Sequence, residues 1–465
     1  MTRSLGGLQH KTKSPPSALR QLEILLGSLA MLATLSCGET RSDLPRPKHV
    51  VVVVLDTLHA AHLSSYGGPP GLTPQIDRLA ATGMQFDRAF SNGTWTLPST
   101  VSLFTGLTQE RHGVVTNHHH LTDDLGVLPE FFSEAGYQTN GYVQMVYASN
   151  HYGLDRGFDE YTYFGQQRSG AQLVAEALGW MENHSKDPTL LYLHFRRPHS
   201  PYNPDALALA HFQDFERHPD PKRHEILARA DSQIRDAKLL SESELGYVRS
   251  LYRANLSQVD RQLEPLIDRF FASEDMALIL TSDHGEAFGQ HGTLGHGQGI
   301  MAEQIDIPLI FAGPGVSPGL DTHPASTVDI LPTLLEWCDI ATTPSKPFEG
   351  LSLIDRLQGN GSTQPRPVSL SARYPPDGPP PTLGVIEGRW KLTVTRAGDL
   401  HLFDRDADRA DTTNIADQHP EIVARLQPLI DQRRSAAEGL STPPVEQTEL
   451  SDELNEELQA LGYVR

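Results

Sequence analysis

The sequence predicts an α/β protein built on a central, mostly parallel sheet flanked by helices, with a smaller α+β subdomain at its C-terminal end. Three observations carry this reading. They are a continuous β-branched run at His49–Leu55, further apolar runs at Leu190–Phe195, Ala277–Leu280 and Pro308–Phe311, and helical patterns set between them. A run without polar alternation suits a strand covered on both faces, as strands of parallel sheets are. Strands alternating with helices belong to one sheet with helices on its faces.

Taken in order, the chain begins with an address. Lys11, Lys13 and Arg20 precede an apolar stretch from Ile24 to Leu35, which ends at Ser36-Cys37-Gly38. A basic segment, a short apolar segment and small residues at its end read as an export signal over residues 1–37. The stretch is too short to span a bilayer. Cys37 after Leu35-Ser36 is similar to a bacterial lipobox, with Thr34 where an aliphatic residue is usual. A lipidated Cys37 would attach the protein to a membrane, so the expected location is periplasmic or lipid-anchored to the bacterial cell envelope. A linker, residues 38–48, leads through Leu44-Pro45-Arg46-Pro47 into the first strand. Helical patterns follow at Thr73–Thr82 and Leu125–Ala135, and a long one covers Glu242–Phe271. The Pro/Gly-rich segment around Tyr374–Pro381 separates a main domain, residues 49–370, from the C-terminal subdomain, residues 371–465. Within the latter, Glu449–Glu457 reads as the solvated face of a helix.

Composition narrows the partners. With 465 residues, 38% hydrophobic and 21% charged, the chain is long enough for a sizeable core and unlike a polytopic membrane protein or a disordered chain. Its formal charge of −20 argues against nucleic-acid binding, because the phosphate backbone would be repelled. An anionic small substrate stays compatible if metal cations reverse the field locally. Two cysteines exclude a disulfide scaffold, and Cys338, in an apolar helical run, reads as a buried thiol.

In open α/β sheets the ligand site lies beyond the carboxyl ends of strands. Asp56 and Asp283 stand there, each just after an apolar run. In Thr94-Trp95-Thr96-Leu97-Pro98-Ser99-Thr100, Pro98 is pre-set for the first turn of a helix that Ser99–Thr105 continues and Gly106 stops. Thr96 is then expected just ahead of a helix N-terminus, where free N–H groups and the macrodipole favour negative charge. Asp56, Asp283 and His284 could bring a divalent metal to the same point, which is the usual way to make a hydroxyl a nucleophile at neutral pH. Two carboxylates suit Ca²⁺, Mg²⁺ or Mn²⁺, and the histidine shifts the preference towards Mn²⁺ or Zn²⁺. His296, between glycines, is expected to be exposed. His112 and His118-His119-His120 read as structural or surface residues, and Asp329 as a helix cap.

Several segments together resemble the sulfatase family of the alkaline-phosphatase-like superfamily. They include Thr73-Pro74-Gln75-Ile76-Asp77-Arg78-Leu79-Ala80, Phe104-Thr105-Gly106, Arg111-His112-Gly113-Val114, Gly157-Phe158-Asp159 and Pro198-His199-Ser200-Pro201-Tyr202. Ser282-Asp283-His284-Gly285-Glu286, Gly289-Gln290-His291-Gly292 and, in the tail, Leu461-Gly462-Tyr463-Val464 continue the likeness, which runs from about His49 to the C-terminus. The resemblance implies an alkaline-phosphatase-like fold, Asp56, Asp283 and His284 as metal ligands, and His199 as the histidine that serves the leaving group.

The departures are concentrated in one place. Thr96 stands where the family carries the Cys or Ser that is oxidised to formylglycine, and a secondary alcohol cannot give that aldehyde. Thr100 replaces an arginine, Gln144 and Val146 a lysine and a histidine, His296 a lysine, and Thr57 a second aspartate. Two readings follow. In one, Thr96 is itself the nucleophile of a hydrolase acting on sulfate or phosphate esters of a small molecule, glycan or lipid. His199 and His296 are then its catalytic partners, or His296 belongs to a second metal. In the other, the site is a degraded one that only binds anions or serves as a scaffold.

Overall fold

The computed structural model describes residues 44–165, 168–210, 222–230, 236–361, 366–374 and 381–438, together with residues 1–2 and 458. The export signal, Cys37, the first part of the linker, the acidic stretch at 449–457 and the segment at 461–464 lie outside the described residues.

The central sheet has eight strands: β1 (His49–Leu55), β2 (Met84–Phe86), β3 (Gln138–Val143), β4 (Glu160–Tyr163), β5 (Thr189–Phe195), β6 (Met276–Thr281), β7 (Leu309–Ala312) and β8 (Gly319–Asp321). Their spatial order is β8-β2-β7-β6-β1-β5-β3-β4. From β6 through β1 and β5 to β3 and β4 every neighbour is parallel, with Leu55 opposite Phe195 and Val54 opposite Thr281. Only β7 runs against both of its neighbours.

All seven residues of β1 are buried. Alternate side chains serve opposite layers. Val50, Val52 and Val54 pack with apolar residues of helices at Thr96–Thr105 and Ile330–Trp337. Val51, Val53 and Leu55 pack with those of helices at Pro74–Ala80, Gly170–Asn183 and Glu242–Phe271. These five helices are α2, α5, α1, α3 and α4 in that order. Each fully buried Val or Leu contributes roughly 1.5–3 kcal/mol, which explains the absence of polar alternation along β1.

The helix α4 starts on a capping box. The Ser241 hydroxyl accepts from the Glu244 N–H at 3.4 Å, and the Glu244 carboxylate accepts from the Ser241 N–H at 2.8 Å. A separate antiparallel sheet follows: β9 (Val368–Ser371), β10 (Leu383–Glu387), β11 (Trp390–Val394) and β12 (Leu400–Asp404). It is covered by α6 (Pro420–Glu438), which contributes Leu426 and Ile430 to its core. The Ser371 N–H donates to the Asn92 carbonyl at 3.0 Å, tying β9 to the segment that enters α2.

Candidate active site

The two central strands β1 and β6 end side by side, and the turns that follow them carry the candidate ligands. Ser282 Oγ joins those turns, accepting from the Leu58 N–H at 2.9 Å and donating to the Leu55 carbonyl at 2.7 Å. Asp56, Asp283 and His284 are buried. One ligand atom from each lies within 4.8 Å of the other two. His284 Nε2 stands 3.6 Å from Asp56 Oδ1 and 3.4 Å from Asp283 Oδ2. Its Nδ1 lies 3.0 Å from the Gly285 carbonyl and donates to it, which turns the Nε2 lone pair towards the carboxylates.

The electrostatics of this cluster call for a cation. Both oxygens of Asp56, and Oδ2 of Asp283, are buried without a hydrogen-bond donor. Burial first, and then the charges of Asp283 and Glu286, push the Asp56 carboxyl well above the usual range. Burial also works against the Asp283 charge, but the imidazoles of His284 and His194 and the N–H groups of Thr57 and His284 outweigh it and hold that carboxyl below the usual range. Two buried carboxylates at this spacing repel unless a positive charge, a proton or a metal ion, sits between them. The donor set therefore fits a divalent ion.

Thr96 is the first residue of α2, one position further into the helix than the sequence suggests. Trp95 is extended (φ −158°, ψ 159°), so the helix starts at Thr96 and Pro98 falls third, within the first turn as expected. Pro98 costs nothing there, since the first four N–H groups of a helix have no internal partner. Thr96 is 2% exposed. The start of α2 reaches the Asp56–Asp283–His284 cluster through Ser91, whose hydroxyl donates to the Asp283 carbonyl and lies 3.4 Å from Ser99 Oγ.

His199 and His296 join the cluster through ring contacts. The His296 ring centroid is 4.5 Å from that of His284 and 5.2 Å from that of His199. His296 is buried rather than exposed, because Leu294–Gly295 pairs with Ala287–Phe288 and its Nδ1 lies 3.1 Å from Glu286 Oε1. All six residues singled out from the sequence thus lie on segments that meet at the carboxyl end of the sheet.

Sequence reasoning missed four neighbours. His194, inside β5, has Nε2 3.7 Å from Asp283 Oδ2. Glu286 partners His296. Arg196 is close enough to favour the charged form of Asp56. The Arg373 guanidinium lies 4.6 Å over the Trp95 ring, and its backbone N–H donates to the Gly297 carbonyl at 3.0 Å, so it stands between the Thr96 and His296 segments. Gln144 spends its amide on backbone, donating to the Arg168 carbonyl at 2.7 Å and accepting from the Arg196 N–H at 3.3 Å. A cavity of about 470 Å³, lined by His59, Phe90, His291, Asp306 and Arg405 among others, includes none of the six predicted residues.

A sheet of this order, with an acidic and histidine-rich cluster beyond its central strands, is that of the alkaline-phosphatase-like fold. A sequence model of the sulfatase family matches residues 48–340, and the chain belongs to that family. It is similar to choline-sulfatase from Rhizobium meliloti (strain 1021), 28% identical over 253 residues that make up 51% of this chain and 48% of that protein. The chain thus spans about half the length of that relative. Against Delta 4,5-hexuronate-2-O-sulfatase from Bacteroides thetaiotaomicron it is 22% identical over 447 residues, 85% of this chain and 90% of the other. A solved structure of a phosphonate monoester hydrolase from Silicibacter pomeroyi shares the fold, with a TM-score of 0.67 at 19% identity, covering 83% of this chain and 95% of that one.

Proposed function

We propose that the protein is a metal-dependent hydrolase of sulfate or phosphate esters whose nucleophile is Thr96 Oγ1. The observation that supports this most directly is the placement of Thr96 at the start of a buried helix joined to the Asp56–Asp283–His284 cluster. The macrodipole and the free N–H groups of α2 lower the cost of negative charge at that end. In the first step Thr96 Oγ1 gives its proton to His296, whose Nδ1 faces Glu286, and bonds to the sulfur or phosphorus as the bond to the ester oxygen breaks, while the leaving alcohol takes a proton from His199. In the second, water bonds to the same atom with its proton passing to histidine, and the bond to Thr96 Oγ1 breaks. Thr96 then recovers its proton and the anion departs. No aldehyde is required, which is consistent with a threonine at this position.

Asp56, Asp283 and His284 would hold a divalent ion, which supplies Lewis acidity to the nucleophile and the reacting group. Their donor types favour Mn²⁺ or Zn²⁺ over Ca²⁺ or Mg²⁺. Arg196 and Arg373 replace the cations missing at positions 100, 144 and 146, and the planar guanidinium suits a tetrahedral oxyanion. The relatives named above act on choline and hexuronate sulfates and on phosphonate monoesters by their names, so the substrate belongs to the same range of small-molecule or glycan esters. Export through residues 1–37, leaving the chain periplasmic or lipid-anchored at Cys37, would put the reaction outside the cytoplasm. Among the described residues no helix is long and apolar enough to cross a membrane.

The loss of family cations at positions 100, 144 and 146 favours a second reading, an anion-binding protein without turnover. A panel of an aryl sulfate, an aryl phosphate, a phosphodiester and a phosphonate monoester, each with Mn²⁺, Zn²⁺, Ca²⁺ or Mg²⁺, separates the two. Turnover of at least one ester is expected, lost by a factor of at least 10³ in Thr96→Ala and kept within about tenfold in Thr96→Ser. Equal turnover in wild type and Thr96→Ala would remove the nucleophile. Anion binding with no turnover would establish the second reading.

A further inference from the structure

The strand β5 carries a histidine amid apolar neighbours. His194 is fully buried, its Nδ1 lies 3.0 Å from the Tyr192 hydroxyl, and its Nε2, 3.7 Å from Asp283 Oδ2, has no hydrogen-bond partner. Tyr192 is equally buried. Its phenol neighbours Thr100, one helical turn beyond Thr96. A buried phenol O–H needs an acceptor, and His194 Nδ1 provides it. With Nδ1 accepting, the neutral ring carries its proton on Nε2, the nitrogen that faces Asp283.

The two oxygens of Asp283 are then distinguished. Oδ1 accepts from the Thr57 N–H at 3.1 Å and the His284 N–H at 2.9 Å, which fixes it to the turn. Oδ2 faces His284 Nε2 on one side and His194 Nε2–H on the other. At 3.7 Å the His194 N–H acts through its bond dipole rather than as a full hydrogen bond, and in a buried site that attraction is little screened.

We infer that His194, set in its Nε2–H tautomer by Tyr192, is a positioning residue that turns Asp283 Oδ2 towards the cation site without itself ligating the ion. The inference rests on Asp56, Asp283 and His284 being the metal ligands.

The test is the affinity for Mn²⁺, measured by calorimetry on the purified metal-stripped protein, for wild type, His194→Ala, His194→Gln and Tyr192→Phe. Removing an outer partner of a metal ligand typically weakens binding 10–100-fold, and that loss is expected for His194→Ala. Recovery is expected in His194→Gln, whose amide can again donate, and a smaller loss in Tyr192→Phe. X-ray absorption of the Mn²⁺-loaded wild type should show one imidazole ligand. Affinity within twofold of wild type in His194→Ala overturns the inference, as do two imidazole ligands. If His194→Ala fails to fold, Tyr192→Phe decides by the same criterion. A wild type that binds no Mn²⁺, Zn²⁺, Ca²⁺ or Mg²⁺ overturns the metal site itself. A wild type that binds while the variants are unchanged overturns only His194.

Discussion

Thr57 holds a left-handed backbone (φ 61°), which a β-branched side chain seldom adopts. That conformation aims its N–H at Asp283 Oδ1 and its carbonyl at the Tyr252 hydroxyl, 2.8 Å away, so local strain is spent on orienting a candidate ligand. Gly285, on the facing turn, answers a different demand. A Cβ there would lie 2.2 Å from the Glu303 carbonyl oxygen, and a backbone atom cannot yield as a flexible side chain can. Gly285→Ala is therefore expected to cost about 1–3 kcal/mol and to lower turnover by displacing His284. Urea unfolding together with kcat on the best ester checks both, and an unchanged variant would contradict the packing argument. Residues of this kind differ in how openly the sequence shows them. Asp56 and Asp283 are visible because each follows a run that reads as a buried strand. His194 sits inside such a run and Arg373 beside a Pro/Gly-rich segment, and what they do depends on neighbours that only folding supplies.

Elements follow the same division. The strand β1, α4 and the apolar runs behind β5, β6 and β7 were legible from continuous or periodic burial. β3 was not, because Thr139, Asn140 and Gly141 interrupt its apolar character. Gly141 is there for space, since a Cβ would fall 2.3 Å from the Tyr161 ring. β8 has two exposed residues of three and carries no pattern at all. The contact between α1 and α4 makes a prediction of its own. Asp260 on α4 accepts from the N–H groups of Gln75 and Ile76 at 3.2 and 2.9 Å, the free donors at the start of α1. Burial nevertheless pushes its carboxyl up to about 7 from an ordinary 3.8. Between those values the folded chain keeps a proton that the unfolded chain has released, so this group's contribution to stability falls as pH rises from about 4 to about 7. Asp260→Asn retains an oxygen acceptor and removes the proton. Its unfolding free energy should depend less steeply on pH across that window, measured by urea titration at pH 5, 6, 7 and 8. An identical slope would show that Asp260 titrates normally.

At the scale of the molecule, the C-terminal sheet is joined to the rest of the chain by charge as well as by apolar contact, where Val368, Leu370 and Ile386 meet Phe90, Ile300 and Ile305. Arg405 pairs with Asp306 and, at 3.0 Å, with Asp411, which also holds the fully buried Lys391 at 2.5 Å. Arg433 of α6 pairs with Glu110. Such buried pairs cost desolvation that only good geometry repays, so their value lies in fixing one arrangement, and Arg373 is brought to Trp95 by the chain segment that leaves β9. The placement of the ligands at the ends of adjacent strands has a last consequence, for endurance rather than catalysis. Leu55 and Ser282 touch although 227 residues separate them, and the proposed ligands Asp56 and Asp283 lie immediately beyond each. An ion held there closes that span in the native state alone, so occupancy feeds into folding by mass action, with about 2.7 kcal/mol gained at a free concentration one hundred times Kd. The thermal midpoint should climb with the logarithm of free metal in the wild type and stay level in Asp56→Ala. The protein would then be at its most fragile wherever chelators strip its surroundings, whether or not substrate is present.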